Sequence, residues 1–233
     1  MINSKIVYSI IPARSGSKTI KNKNIYKVNN KPLLYYSIIT SKKSKFIDRT
    51  FLLTDSKRYS RIGLKYGAEI PYLRSKSVSG DKTSDVITII DFLLQLKKNK
   101  IVQPDYIVHL RPTSPIRDPK LIDKAIKKIH KLKKYTSLRS IHEMDESAYK
   151  TAEIINNRLV SSFNRNKNMD LINDPRNSFP KTFFTNGYVD ILKTEYIIKH
   201  KKIHGNKVYP FKTPDPHDID NIDKLRYLEY LLK

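Results

Sequence analysis

An apolar run at residues 6–11, Ile-Val-Tyr-Ser-Ile-Ile, closes on Pro12 and opens directly into Ala13-Arg14-Ser15-Gly16-Ser17-Lys18-Thr19-Ile20-Lys21-Asn22-Lys23-Asn24. β-Branched residues ended by proline predict a buried strand. The loop behind it sets four cations, Arg14, Lys18, Lys21 and Lys23, around a single glycine. A first strand that feeds a cationic, glycine-containing loop suits a polyanionic phosphate chain. Gly16 lets backbone N–H groups approach phosphate oxygens, and the cations offset several negative charges. Neither G-x-x-x-x-G-K-[ST] nor G-x-G-x-x-G is present, so the two familiar phosphate loops do not fit.

The rest of the N-terminal half follows the same rhythm. Residues 50–53 and 106–110 read as further buried strands. Between them Val86, Ile89, Ile90, Leu93 and Leu94 recur at helical spacing, and Ile122, Ala125, Ile126 and Ile129 repeat the pattern after Pro119. Strands alternating with helices predict an α/β fold with a mostly parallel sheet. A last helix is expected from about Ile222, with Leu225, Leu228, Leu231 and Leu232 on one face. Past Ser137 the alternation breaks. Asn156-Asn157 predicts a hairpin turn, because asparagine tolerates positive φ. Residues 164–180 are polar and aperiodic, and a long irregular segment in a compact chain is usually functional or an interaction arm.

With 233 residues and no compelling linker, the chain reads as one domain over residues 1–233. No apolar run approaches the roughly 18 residues of a membrane span, no signal-peptide pattern opens the chain, and a cytoplasmic protein is expected. Cysteine is absent, which excludes a disulfide scaffold and a thiol nucleophile. The histidines have no H-E-x-x-H spacing for a zinc hydrolase, and His217 reads as a loop histidine beside Asp218. A net charge of +24 predicts attraction to anions, and a basic nucleic-acid-binding protein is the competing function class. The lysines are scattered, however, with no RNP motif, zinc finger or leucine zipper beside them, so nucleic acid is not the expected partner.

Asp218-Ile219-Asp220 is the metal candidate. Two carboxylates two apart in an extended segment share a face and repel unless a proton or a cation intervenes. Hard oxygen ligands of this kind suit Mg²⁺. A competing reading makes Asp220 the N-cap of the last helix, with Asp223 three residues on.

The stretch from Arg14 to Asn24 resembles the R-x-G-S-K-x-[IL]-x-x-K-N signature of the CMP-N-acylneuraminate synthetases, also called acylneuraminate cytidylyltransferases, at every fixed position. The likeness continues at Leu52-Leu53-Thr54-Asp55, Tyr66-Gly67-Ala68-Glu69, Leu110-Arg111-Pro112-Thr113-Ser114-Pro115-Ile116-Arg117, Asn186-Gly187 and Asp218-Ile219-Asp220. The resemblance implies a Rossmann-like nucleotidyltransferase that moves CMP from CTP to an acidic sugar and releases pyrophosphate. By the same likeness Arg14, Ser17, Lys18 and Lys23 hold phosphates, with Lys23 near the departing pyrophosphate. Asn24 and Arg74 face ribose or base, Thr83 and Asp85 match the nucleotide-side segment, and that last pair could equally serve the start of a helix. Asp218 and Asp220 hold the metal, and one of those aspartates or a metal-bound hydroxide takes the acceptor's proton.

Arg111, Lys150, Arg176 and Asn186 match the acceptor side. The resemblance also implies a homodimer, joined through a lobe at about residues 140–185 that completes the partner's site. Three positions depart from the family. Arg111 stands where glutamine is common, Phe184 where an arginine is expected, and Asp190 where a tyrosine usually follows. Changed charge beside an intact nucleotide signature points to a changed acceptor, either another ulosonic acid or a phosphorylated or phosphonate compound.

Overall fold

The computed structural model describes residues 2, 4–163 and 168–232. The irregular stretch expected at residues 164–180 therefore lies partly outside the described residues. In chain order the strands are β1 (Val7–Pro12), β2 (Lys27–Val28), β3 (Lys31–Pro32), β4 (Arg49–Leu53), β5 (Tyr106–His109), β6 (Ser137–Glu143), β7 (Ala152–Ile155), β8 (Arg158–Ser161), β9 (Phe183–Lys193) and β10 (Val208–Lys212). The helices are α1 (Leu33–Lys43), α2 (Lys57–Lys65), α3 (Asp85–Lys98), α4 (Pro119–Lys131), α5 (Thr194–His200) and α6 (Ile222–Leu231).

Six strands form the main sheet in the order β10-β6-β9-β5-β1-β4. β1 runs parallel to β4 and β5, β10 runs parallel to β6, and β9 is antiparallel to both its neighbours. The expected mostly parallel α/β sheet is what forms, with β9 as the reversed strand. The period of two sorts β1 cleanly. Val7 and Ile11 join the layer of α1 and α4, with Leu34, Ile38, Leu52, Val108, Ile122 and Ile126. Tyr8 and Ile10 face the layer of α3 and α5, with Phe51, Ile89, Phe92, Leu96 and Ile197. Near-continuous apolar strands follow from burial on both faces.

A third cluster positions the site. Ile20 of the cationic loop, Val28, Leu33 and Ile219 pack with Leu225 and Leu228 of α6. The N-terminal loop and the C-terminal carboxylates are thus fastened together by apolar side chains between the charged ones. α6 is capped by Asn221, whose side chain accepts from the Lys224 N–H at 2.9 Å. This corrects the reading of Asp220 as the cap: the helix starts one residue later, and the Asp220 carboxylate instead pairs with Lys224 Nζ at 2.9 Å.

Between β6 and β9 the described residues 144–163 and 168–182 lie outside the main sheet. The hairpin of β7 and β8 turns at Asn156 (φ 50°) and Asn157 (φ 59°), the left-handed pair a two-residue turn requires. Its apolar residues Ile154 and Leu159 are exposed. Among the described residues no helix is long and apolar enough to cross a membrane.

Candidate active site

The loop after β1 folds back on β4. Ser15 donates from its N–H and its hydroxyl to the Asp55 carboxylate, at 2.8 and 3.0 Å, and the Asn24 amide donates to the Arg14 carbonyl at 3.0 Å. These bonds fix the loop's path, and Asn24 is buried by it. Arg14, Ser17, Lys18, Thr19 and Lys23 then line an open cavity of about 380 Å³ together with Asp81. Asp81 pairs with Arg14 and, at 2.5 Å, with Lys18. Those two cations hold its carboxyl below the ordinary carboxylate range, Lys18 contributing most.

Lys23 sits deeper. Its ammonium donates to the Ile219 carbonyl at 3.0 Å, between the two candidate metal ligands. Burial lowers its pKa, against the opposing pull of Asp218 and Asp220. Asp218 is half-buried and accepts from Ser114 Oγ at 2.9 Å, whereas Asp220 is exposed. Ile219 between them is fully buried, and both carboxylates act on the Lys23 ammonium. Among the described residues no group of three or more His, Asp or Glu side chains gathers as a self-sufficient metal site. Two hard carboxylates suffice for Mg²⁺ only where substrate phosphate supplies further ligands, which fits their place beside Lys23.

A second cavity of about 200 Å³ adjoins the first through Arg14. Its walls include Asn24, Arg74, Thr83, Asp85, Thr88 and Arg111. Arg74 is buried and donates to Thr88 Oγ1 at 2.9 Å and to the Val78 carbonyl. Burial lowers its pKa, with Tyr72, Asp55 and Asp91 opposing. The nucleoside-side trio Asn24, Arg74 and Thr83 thus meets around one small cavity.

Arg111 stands in that same cavity, apart from the other acceptor-side residues. One guanidinium nitrogen donates to Asp85 at 2.8 Å and another to Asp190 at 3.1 Å. Asp190, 1% exposed, also lies 3.6 Å from Arg139 Nε. Two carboxylates therefore claim the cation that the sequence offered to an acceptor anion. Asn186 is buried, and its amide donates to His142 Nδ1, Thr213 Oγ1 and the Pro214 carbonyl while its oxygen accepts from the Tyr188 N–H. That side chain holds β9 to its surroundings. Lys150 pairs with Glu146 at 3.8 Å, and Arg176 pairs with Glu143 at 3.6 Å on the wall of a separate cavity of about 630 Å³ within residues 143–182. Phe184 is exposed and packs on the His142 ring.

Arg117, the last letter of the motif at residues 110–117, turns out to be structural. It is buried and donates to the carbonyls of Tyr188, Arg111 and Gly187 and to Ser37 Oγ. Burial pushes its pKa down to about 9. Five donors in a rigid fork let one side chain tie β9, α1 and the Arg111 turn together. Asp85 was matched with Thr83 to the nucleotide side or to a helix start, and what the sequence did not show is its pairing with Arg111 across the cavity.

Residues 8–232 match the profile of a family described as Cytidylyltransferase. The chain belongs to the cytidylyltransferase family. It is a nucleotidyltransferase, and the likeness to the acylneuraminate cytidylyltransferases extends beyond the signature motif. The CMP-N,N'-diacetyllegionaminic acid synthase of Campylobacter jejuni is 27% identical over 224 residues, covering 95% of this chain and 93% of that protein. The N-acylneuraminate cytidylyltransferase of Escherichia coli is 28% identical over 228 residues, 97% of this chain and 51% of that protein, so the chain spans about half its length. Among solved structures, a CMP-2-keto-3-deoxy-manno-octonic acid synthetase complexed with CTP superimposes with a TM-score of 0.72 at 14% identity, covering 97% of this chain and 98% of that one. At that identity the likeness is one of fold.

Proposed function

We propose that this cytidylyltransferase transfers CMP from CTP to the anomeric hydroxyl of an acidic, nonulosonate-type sugar and releases pyrophosphate. The observation that carries the reading is the pair of adjoining cavities. One is lined by phosphate-type cations and the other by Asn24, Arg74 and Thr83, with Arg14 common to both. The names of the two relatives support the acceptor class, since one is a legionaminic acid synthase and the other an acylneuraminate cytidylyltransferase.

In this reading Arg14, Ser17 and Lys18 receive the triphosphate in place of Asp81, and Lys23 stabilises charge that builds on the departing pyrophosphate. The acceptor hydroxyl attacks the α-phosphorus in line as the bond to pyrophosphate breaks, and its proton leaves to one of the two carboxylates, Asp218 or Asp220. Mg²⁺ held by Asp218 and Asp220 with substrate phosphate would offset charge on the transferring group. Lys150 and Arg176 lie outside the two cavities, in the excursion with the exposed apolar hairpin. A homodimer in which each copy's excursion completes the other's acceptor half accounts for their placement, in a cytoplasmic enzyme working where CTP is made.

Initial rates of pyrophosphate release with CTP, UTP, ATP and GTP test the reading, each measured with N-acetylneuraminate and N,N'-diacetyllegionaminate as acceptors. CTP is expected to lead by a wide margin with at least one acceptor. Equal or better turnover with GTP would sink the assignment.

A further inference from the structure

We propose that Asp85 reads the base: its carboxylate accepts the hydrogen bond of cytosine's exocyclic amine, and Arg111 and Asp190 are positioning residues that aim it. This rests on the CTP reading above and adds to it the group that separates cytosine from uracil.

The small cavity has about 200 Å³, below the usual range for a whole ligand, so it receives one ring and not a nucleotide. Several of its polar walls are already engaged, although Arg74 keeps one donor, Nε, without a hydrogen-bond partner among the described residues. The Asn24 amide is bonded to the Arg14 carbonyl, and Arg74 is bonded to Thr88 and Val78. Asp85 differs. One carboxylate oxygen accepts from Arg111, and the other has no hydrogen-bond partner among the described residues. The cavity therefore presents an anionic acceptor, which favours an N–H donor and repels a carbonyl. Cytosine and uracil differ at position 4, an amine in the first and a carbonyl in the second, and at the adjacent ring nitrogen, an acceptor in the first and an N–H donor in the second. The carboxylate therefore discriminates by facing position 4.

A bare carboxylate beside a triphosphate would repel the substrate. Arg111 removes that objection by neutralising Asp85, and it is itself held from below by Asp190. A carboxylate only 1% exposed persists because it is paired, here with Arg111 and Arg139. Burial alone would raise the pKa of Asp85, yet His109, Arg111 and Arg139 around it outweigh that, so it stays charged. Two of the three departures from the family, Arg111 and Asp190, thereby become one device spanning the β5–α4 turn, β9 and the first turn of α3. Its target is the nucleotide and not, as the sequence suggested, an acceptor anion.

The test is the ratio of kcat/KM for CTP to that for UTP with the acceptor held constant. Asp85→Asn can turn its NH₂ toward a carbonyl, so the ratio should fall about ten- to a hundredfold, with UTP turnover rising. Asp190→Asn leaves Asp85 in place and loosens Arg111, so the same ratio should fall by less. A CTP rate and a UTP rate that fall together in Asp85→Asn, leaving the ratio unmoved, would overturn the base-reading role. A lower melting temperature with an unmoved ratio in Asp190→Asn would make Asp190 a packing residue only, and would overturn its positioning role. Should Asp85→Asn fold poorly, Asp85→Ser removes the charge without bulk and carries the same measurement. The two readings fail differently: a wild-type enzyme indifferent to CTP overturns the proposed function, whereas a CTP-selective enzyme whose selectivity survives Asp85→Asn overturns this inference alone.

Discussion

Lys23→Ala separates a catalytic cation from a surface one. The ammonium makes one hydrogen bond, to the Ile219 carbonyl at 3.0 Å, and it is half-buried between Asp218 and Asp220. A hydrogen bond to a charged group contributes about 1.5–3 kcal/mol. Burial opposes the charge, as the lowered pKa shows, so removing it recovers part of that sum. A net destabilisation of about 1 kcal/mol remains, which for a chain this size moves the melting temperature by roughly 2–4 °C. Turnover should suffer far more, because losing one preorganised contact to developing charge costs about 10²–10³ in rate. Pyrophosphate release at saturating CTP gives kcat, and thermal unfolding followed by circular dichroism gives the stability. Near-normal kcat in a folded variant would refute the argument. So would a melting temperature lowered by tens of degrees, because the lost activity would then be lost structure.

Other substitutions bear on separate parts of the site. Asp218→Asn and Asp220→Asn should each remove most of the Mg²⁺-dependent rate with little change in melting temperature, read across a Mg²⁺ titration; a silent Asp220→Asn would leave Asp220 as the partner of Lys224. Asp81→Asn releases Arg14 and Lys18 and should lower KM for CTP a few-fold, and an unchanged KM would show that the pair does not compete with phosphate. His109 is fully buried, and burial pushes its pKa from 6.5 down to about 4. The unfolded chain thus binds the extra proton first, so this histidine costs stability as pH falls from about 6.5 to about 4, with a ceiling of roughly 3 kcal/mol. His109→Leu should flatten the pH dependence of denaturant midpoints over that window, and an unaltered slope there would place the acid sensitivity elsewhere.

Local physics explains what could be read in advance. β1, β4, β5, α3 and α4 were legible because each carries its own periodicity and its own stop signal, such as Pro12 or Pro119. The hairpin was legible because two adjacent asparagines supply the left-handed turn. β6, β9 and β10 were not called. β9 is exposed over its first three residues and buried over the next eight, which follows neither period. β10 is an edge strand paired only with β6, and its residues alternate too weakly to declare a buried face.

The cationic loop was legible because its glycine and charges are contiguous. The pairing of Arg111 with Asp85 and Asp190 was not, since 26 and 79 residues separate the partners. A lone arginine beside a proline turn gives no hint that its charge is already claimed. The bonds of Asn186 were equally hidden: an amide next to a glycine gives no sign of the four hydrogen bonds that tie it to the fold.

The buried position of Asp190 also restricts the order in which a sequence could arrive at this arrangement. An aspartate introduced there before the arginine would be a carboxylate sealed from water with Arg139 alone at 3.6 Å, and losing a partner of a buried charge typically costs about 3–5 kcal/mol. The arginine has no such prerequisite, because its side chain is 25% exposed and Asp85 already offers it a partner. Substitution at 111 is therefore the permissive step and substitution at 190 the dependent one. Reversal obeys the same sequence in mirror image: Asp190 must go first, and an Arg111→Gln replacement made on its own is the harder path back.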